Sequence, residues 1–129
     1  MIKKCAAIIV KNKKLLVVRK HKTSAYISPG GKIEGNESQI ECLTREIQEE
    51  IGVTFTNPIH FSVDYSKSIF EDELIEINSW LIEIKGNPSP CSEIVDLKWI
   101  TSKESEQIQI GSIFKDNIIP KLKKIGLIE

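Results

Sequence analysis

The 129-residue sequence contains little cysteine and no long apolar run. Its three cysteines, Cys5, Cys42 and Cys91, lie far apart and form no C-x-x-C pair. This argues against a disulfide framework and against a zinc site made of thiolates. The longest apolar run, Cys5 to Val10, is far shorter than the roughly 20 residues that cross a membrane as a helix. We therefore expect no membrane partner.

The sequence also lacks a signal-peptide pattern, internal repeats, low-complexity tracts and linkers. Together with the cysteine usage, this indicates a reduced compartment, and we expect the cytoplasm. The length suits one ordinary domain over residues 1–129. The apolar share of 40% and the charged share of 28% are typical of a globular protein.

Net charge is absent as well, because Lys+Arg and Asp+Glu both number 18. Overall charge therefore favours neither a membrane nor a stable nucleic-acid partner. The charges are nevertheless placed unevenly, with acidic residues gathered between Glu34 and Glu50. A basic patch opposite an acidic one suits a phosphate ester bound together with a cation, whereas two solvated surfaces are the alternative. The basic residues of the first segment are Lys11, Lys13, Lys14, Arg19, Lys20 and Lys22.

Hydrophobic patterning predicts a mixed α/β domain. A helix is expected from Ser38 to Ile51, because its aliphatic residues at 40, 43, 47 and 51 fall within roughly 80° of arc. Gly52 suits the left-handed position that ends a helix. The remaining predictions are a hairpin of Lys4–Val10 and Lys14–Arg19, strands at Ile59–Tyr65, Glu73–Ile84 and Ile94–Ile100, and a closing helix at Ile110–Ile128, interrupted or restarted near Pro120.

Three glutamates crowd one side of the predicted helix. Glu46, Glu49 and Glu50 are related as i, i+3 and i+4, and like charges at these spacings repel one another. Glu49 and Glu50 also lie in the last turn, where the helix dipole disfavours anions. Hard divalent cations bound through carboxylate oxygens would compensate, and Mg²⁺ or Mn²⁺ suits such ligands better than zinc. The alternative is an acidic helix edge on which Arg45 pairs with Glu41 and Glu49.

The segment from Gly31 to Val53 resembles the complete Nudix box, G-x5-E-x7-R-E-U-x-E-E-x-G-U, where U is a bulky aliphatic residue. The matching positions are Gly31, Glu37, Arg45, Glu46, Ile47, Glu49, Glu50, Gly52 and Val53. The chain is therefore similar to the MutT-like Nudix hydrolase family. The resemblance implies an α/β/α sandwich with a mixed β-sheet. It is weaker at Ser28, where these proteins usually carry an apolar residue.

The resemblance also implies roles for the box residues. Glu46, Glu49, Glu50 and the Gly31 carbonyl would be metal ligands for Mg²⁺ or Mn²⁺. Arg45 and Glu37 would form a structural ion pair that supports catalysis by fixing geometry. Either Glu46 or Glu49 would act as general base. Glu93 is a further candidate base, although a surface role suits it as well.

Residues outside the box are candidates for substrate binding. Arg19 could meet substrate phosphates, as could Lys20 and Lys22, although each also suits a solvated strand end. Tyr26 and Phe70 could stack on a base, with a place in the core as the alternative for both. Asn117 could hydrogen-bond a base edge.

The function implied is water attack at phosphorus in a nucleoside diphosphate linked to another moiety, a small-molecule substrate. The alternative is a nucleotide-sensing or RNA-binding module on the same scaffold. Apolar strand residues leave a homodimer open.

Overall fold

The computed structural model describes residues 1–67 and 73–129. A group of strands, a helix, a second group of strands and a helical region follow one another along the chain, in the order predicted from the sequence. In chain order the elements are β1 Ile2–Ile8, β2 Val10–Lys11, β3 Lys14–Lys20, β4 Tyr26–Ile27, β5 Gly30–Lys32, α1 Gln39–Ile51, β6 Thr54–Lys67, β7 Leu74–Lys85, β8 Ile94–Ile100, α2 Ser102–Ser105, a π-helical segment Phe114–Ile118, and α3 Ile119–Lys124.

The strands form two sheets. The first has the order β5-β1-β7-β6 and is mixed, because β1 pairs with β7 in parallel while its other neighbours are antiparallel. In the second sheet β3 is the central strand and pairs antiparallel with β2, β4 and β8. The mixed α/β architecture expected from the sequence is confirmed.

Two hydrophobic cores lie on opposite sides of the sheets. Successive residues of a strand point to opposite faces, so Leu16 and Val18 of β3 pack in the core beneath α1. Leu15 and Val17 pack instead in a second core with Phe114 and the rest of the C-terminal helical region. The alternation on β3 thus places a helix on each side, which is the predicted sandwich.

The helix α1 has well-defined ends. Ser38 accepts a hydrogen bond from the Glu41 N–H at 3.1 Å, and the Glu41 carboxylate accepts one from the Ser38 N–H at 3.0 Å. This reciprocal capping satisfies backbone donors that the helix leaves free. At the other end Gly52 is left-handed, with φ of 68°. The helix boundaries predicted from the sequence are therefore confirmed to within one residue.

The predicted hairpin is only partly present. The short strand β2 pairs with β3 around a turn at Asn12 and Lys13, both with positive φ, but β1 pairs with β5 and β7. The prediction of one strand over 4–10 was wrong, because the chain passes from the first sheet to the second at Ile9, between β1 and β2.

The closing helix is shorter than predicted, and α3 ends at Lys124. The predicted restart near Pro120 is present as a change from a π-helical segment to α3 at Ile119, without a break in helical structure. The Ile119 N–H bonds back to the Phe114 carbonyl, a spacing of five residues. Pro120 follows directly, at the first turn of α3, where its missing N–H is tolerated. None of the helices in the described ranges has the length and apolar character needed to span a membrane.

Candidate functional site

The carboxylates of the Gly31–Val53 segment line a cavity of about 270 Å³, here called the acidic cavity. It lies where the last turns of α1 face β5 and the end of β3. Its acidic residues come from three parts of the chain, and basic residues stand among them. The lining is Lys20, Gly31, Lys32, Glu34, Arg45, Glu46, Glu49, Glu50, Ser92 and Glu93.

Glu50 is the buried member of the glutamate set, with 6% of its surface exposed. Burial raises the pKa of Glu50 to about 7, although the Gly30 N–H and the charge of Lys20 act in the opposite direction. The Gly30 N–H donates to Glu50 Oε1 at 2.9 Å, and Lys20 Nζ lies 3.9 Å from Glu50 Oε2. Glu50 therefore links the helix to β5 and to the end of β3.

Arg45 connects the loop before α1 to the helix. Its Nε and Nη2 atoms donate to the two Glu37 oxygens at 2.8 and 2.9 Å, a bidentate pair. Arg45 Nη2 also donates to the Lys32 carbonyl at 3.1 Å. The Arg45 guanidinium is the main reason why the pKa of Glu37 falls to about 2, and the Glu34 N–H adds to the effect. The ion pair expected between these residues is present, and it fixes the loop on the helix.

Glu46 occupies space that Gly31 leaves open. A Cβ atom on Gly31 would lie 2.6 Å from Glu46 Oε1, so any side chain there would displace the carboxylate. Glu46 also accepts a hydrogen bond from Arg45 Nη1 at 2.7 Å. Its side chain is 14% exposed, whereas that of Glu49 is 56% exposed and lies 3.8 Å from the same Arg45 nitrogen. Solvent exposure therefore increases from Glu50 through Glu46 to Glu49.

The donor set of the acidic cavity suits a hard divalent cation, because five carboxylates line one space and carboxylate oxygens are the ligands that Mg²⁺ and Mn²⁺ prefer. Within residues 1–67 and 73–129, however, no three His, Cys, Asp or Glu side chains stand close enough together to hold an ion. Glu46 and Glu50 are instead engaged by Arg45 and by the Gly30 N–H. A cation would therefore exchange these internal contacts for its own.

A second cavity, of about 300 Å³, adjoins the acidic one and is here called the apolar cavity. Its walls come from β7, with Ile75 and Ile77, and from the C-terminal region, with Ile113 and Phe114. Lys20 and Gly31 line both cavities. The two spaces therefore meet at one lysine ammonium group and at the backbone of the β5 strand.

Among the candidates for substrate binding, Lys20 lies at this junction, whereas Arg19 and Tyr26 lie away from it. Arg19 lines neither cavity and donates from Nη1 to the Thr23 carbonyl at 3.0 Å. Arg19 belongs to the side of β3 that faces the C-terminal helices, whereas Lys20 belongs to the side that faces α1. The sequence does not separate Arg19 from Lys20, because residue numbers alone do not tell which face of the strand meets the glutamates. A contact of Arg19 with substrate stays a prediction.

Tyr26 is 8% exposed and packs in the core beneath the C-terminal helices. Its hydroxyl donates to Asp96, and its backbone bonds to Gln109 and Gly111. These contacts favour the core alternative over base stacking, and a contact of Tyr26 with substrate stays a prediction. Phe70 lies outside the described residues. Asn117 donates to Asp64 Oδ1 at 3.0 Å and so ties the C-terminal region to β6.

Two features of the site were missed from the sequence. Residues of the apolar cavity such as Ile77 and Phe114 meet only through tertiary packing, so no local pattern marks them. The burial of Glu50 had a detectable signal, because it follows Ile47 by three residues and so lies beside the apolar stripe of α1. Glu93 lines the acidic cavity, as its candidate role requires.

Comparisons with known proteins agree with this fold and site. The family model described as NUDIX domain matches residues 1–122. The chain is 35% identical over 77 residues to 8-oxo-dGTP diphosphatase of Escherichia coli (strain K12). The matched stretch covers 56% of this chain and 57% of that protein. It is 27% identical over 115 residues to CTP pyrophosphohydrolase of the same organism, and the match covers 86% of this chain and 84% of that protein.

A solved structure from an analysis of MutT from Aliivibrio salmonicida and Vibrio cholerae has the same fold, with a TM-score of 0.79 at 21% identity over 96% of this chain and 98% of that one. The chain therefore belongs to the NUDIX family, and the resemblance seen in its sequence is confirmed. It spans a little over half the length, 57%, of the curated diphosphatase that it matches.

Proposed function

We propose that the chain is a metal-dependent pyrophosphohydrolase that cleaves a nucleoside diphosphate linked to another moiety by water attack at phosphorus. The observation that carries this proposal is the junction of the apolar cavity with the acidic cavity at Lys20 and Gly31. A nucleotide has the same division, with an apolar base at one end and charged phosphates at the other. The base would enter the apolar cavity while the diphosphate crosses Lys20 towards the glutamates.

Glu46, Glu49, Glu50 and the Gly31 carbonyl would hold Mg²⁺ or Mn²⁺. When bound, the cation supplies neutralisation of charge on the phosphate oxygens and activation of the attacking water. The three glutamates differ in solvent exposure, which suits different roles in holding the cation. Glu50 is fixed by the Gly30 N–H, whereas Glu49 is open to solvent and reaches a ligand freely.

The residues of the chain itself supply positioning and proton transfer. Arg45 holds the loop through Glu37 and orients Glu46 through a 2.7 Å hydrogen bond. Glu46 or Glu49 would take the proton from water as general base, and Glu93 stays a further candidate at the edge of the same cavity. Lys20 would hold a phosphate oxygen where the two cavities meet, a role that suits a flexible ammonium group.

The substrate belongs to a class that includes nucleoside triphosphates, oxidised ones among them, nucleotide sugars and dinucleoside polyphosphates. The names of two relatives, 8-oxo-dGTP diphosphatase and CTP pyrophosphohydrolase, place 8-oxo-dGTP and CTP first in a substrate panel. A cytoplasmic location stays a prediction that the three free cysteines accommodate. A homodimer stays open.

The experiment that tests the proposal is hydrolysis of this panel by the purified protein with Mg²⁺, with Mn²⁺ and with EDTA. We expect release of phosphate, pyrophosphate or a mononucleotide from at least one substrate, only when metal is present. Glu49→Gln should lower kcat by at least about 100-fold, because it removes a ligand or the base.

Glu106→Gln is the matched control, since Glu106 is an exposed glutamate at the end of α2 that lines neither cavity. It should keep full activity. Tight nucleotide binding without turnover in the parent protein would contradict the proposal and favour a nucleotide-sensing module instead. An unchanged rate in Glu49→Gln would contradict the roles assigned to the glutamates.

A further inference from the structure

The basic residues of the first segment fall into two groups in the fold. Lys20 lies at the junction of the acidic and apolar cavities, but Lys11 and Lys14 lie at the opposite end of β3. The seven residues of β3 separate the two groups by roughly 20 Å, at about 3.3 Å per residue. The lysines at the far end therefore serve neither the glutamates nor the apolar cavity.

Lys11 and Lys14 border a separate cavity of about 500 Å³, here called the hairpin cavity. It is lined by Lys11, Asn12, Lys14, Asn87, Pro88 and Trp99, and none of these residues belongs to the other two cavities. Its volume is within the range of about 300 to 1,000 Å³ that is usual for small-molecule sites.

The two lysines are directly opposite each other in the β2–β3 pair. Like charges in this position destabilise a strand pair. Both side chains are exposed, and neither forms an ion pair with a residue of the described chain. The charge of Glu104 reaches Lys14 only as a longer-range interaction. An anion between the two ammonium groups would remove their repulsion.

Trp99 gives the hairpin cavity an aromatic wall. The Trp99 side chain is half-buried: one part packs against the core beneath α1, and another part borders the cavity. Trp80 differs, because its indole N–H donates to Gln39 at 2.7 Å and its ring packs edge-on against His60. The Trp99 indole N–H has no hydrogen-bond partner within residues 1–67 and 73–129. Trp99 thus offers both a ring and a donor to a ligand.

The β2–β3 turn next to these lysines is held by hydrogen bonds to the C-terminal residues of the chain. The Lys13 carbonyl accepts a hydrogen bond from the Glu129 N–H at 3.0 Å, and Lys13 Nζ donates to the Gly126 carbonyl at 2.6 Å. These contacts support the positive φ of Asn12 and Lys13, 52° and 64°, which costs free energy in residues other than glycine. The hairpin is therefore positioned before any ligand arrives.

We propose that the hairpin cavity binds a nucleotide unit as a second site, separate from the proposed hydrolytic centre. The base stacks on Trp99, a phosphate lies between Lys11 and Lys14, and the amide of Asn87 or Asn12 bonds the base edge. Stacking on an aromatic ring beside basic side chains is a general way to hold a nucleotide. A free mononucleotide and the nucleotide at an end of single-stranded RNA share this chemistry.

The test is a titration of ¹⁵N-labelled protein with a nucleoside monophosphate in EDTA, followed through the two tryptophan indole signals. A monophosphate contains no diphosphate bond, and EDTA removes metal, so binding is measured apart from hydrolysis. Trp99→Phe assigns the two signals. We expect the Trp99 signal to shift on titration and the Trp80 signal to stay in place.

The double variant Lys11→Ala/Lys14→Ala should weaken the binding at least tenfold, while a melting temperature no lower than that of the parent shows that the variant is folded. The matched control is Lys121→Ala/Lys124→Ala, which removes two exposed lysines of α3 and should bind like the parent. An unchanged dissociation constant in the first double variant, or a Trp99 signal that does not move, would overturn the proposal.

Two further probes separate the sources of the ligand. A short single-stranded oligoribonucleotide that binds more tightly than the monophosphate indicates RNA as the source, whereas equal affinity indicates a free nucleotide, and both results support the site. Inorganic phosphate should bind much more weakly than the monophosphate. Equal binding of inorganic phosphate would overturn the stacking on Trp99.

Discussion

Gly30 and Gly31 are adjacent, but each is needed for a different reason. Gly30 has φ of 150°, and a Cβ atom there would overlap the backbone of β1, with the Ala6 Cα 2.9 Å away. At Gly31 the atom in the way is Glu46 Oε1, the far end of a flexible side chain. The first glycine is therefore needed for folding, and the second for the position of a carboxylate.

This difference predicts that alanine at Gly30 impairs mainly stability, whereas alanine at Gly31 impairs mainly activity. Gly30→Ala should lower the free energy of unfolding by about 3 kcal/mol or more, since backbone cannot move aside. Gly31→Ala should cost only about 1 kcal/mol but should lower kcat/KM at least about 10-fold because Glu46 is displaced. Urea unfolding and hydrolysis assays measure both quantities. Gly31→Ala with full activity would show that the position of Glu46 does not matter.

Glu37 predicts a dependence of stability on pH. Its pKa falls to about 2 in the folded protein, mainly through hydrogen bonds from Arg45, and returns to its ordinary value on unfolding. A lowered pKa stabilises the folded state above the ordinary value, and this stabilisation is lost as pH falls towards the folded-state pKa. The contribution should therefore be complete at neutral pH and fade in acid.

The measurement compares urea midpoints of the parent and of Glu37→Gln in EDTA from about pH 6 to about pH 3. At the upper end of this pH range the parent should have the higher urea midpoint. The difference in midpoint between parent and variant should narrow as the pH falls. Glu106→Gln is the control and should show no such gap. A gap of constant size would mean that the Arg45–Glu37 pair does not act through the charge of Glu37.

At the scale of elements, α1 positions most of the acidic cavity, and its N-terminal cap should matter for stability. Ser38→Ala removes the hydrogen bond to the Glu41 N–H and should lower the free energy of unfolding by about 1 kcal/mol. Thr44→Ala is the matched control: its hydroxyl donates to the Ile40 carbonyl within the helix. Alanine has the higher helix propensity there, so Thr44→Ala should be close to neutral in urea unfolding. Equal losses in both variants would argue against the cap.

Elements defined by local contacts were predictable from the sequence, and those defined by distant contacts were not. The cap at Ser38 and the left-handed Gly52 are local signals, so the bounds of α1 could be found. The partner of β1 is β7, about 70 residues further along the chain, and adjacency in sequence suggested β3 instead. The place of Lys20 at the cavity junction was not predictable for the same reason, because the facing element decides whether Arg19 or Lys20 meets the glutamates.

At the scale of the whole molecule, the two sheets bring together segments that could not form a site alone. The end of β3, the β5 strand and the last turns of α1 enclose the acidic cavity, while β7 and the C-terminal region enclose the apolar one. The box residues were recognisable because they lie within one continuous segment. The apolar cavity was not, and it is the part that would select the substrate.

Hydrolysis in ¹⁸O-labelled water, with products identified by mass spectrometry, tests the central claim most directly. For a substrate from the panel with Mg²⁺ or Mn²⁺, the account predicts one ¹⁸O atom in a phosphate group of one product, and no turnover with EDTA or with Glu49→Gln. Turnover that continues in EDTA, or bound nucleotide that is never cleaved with either metal, would contradict it.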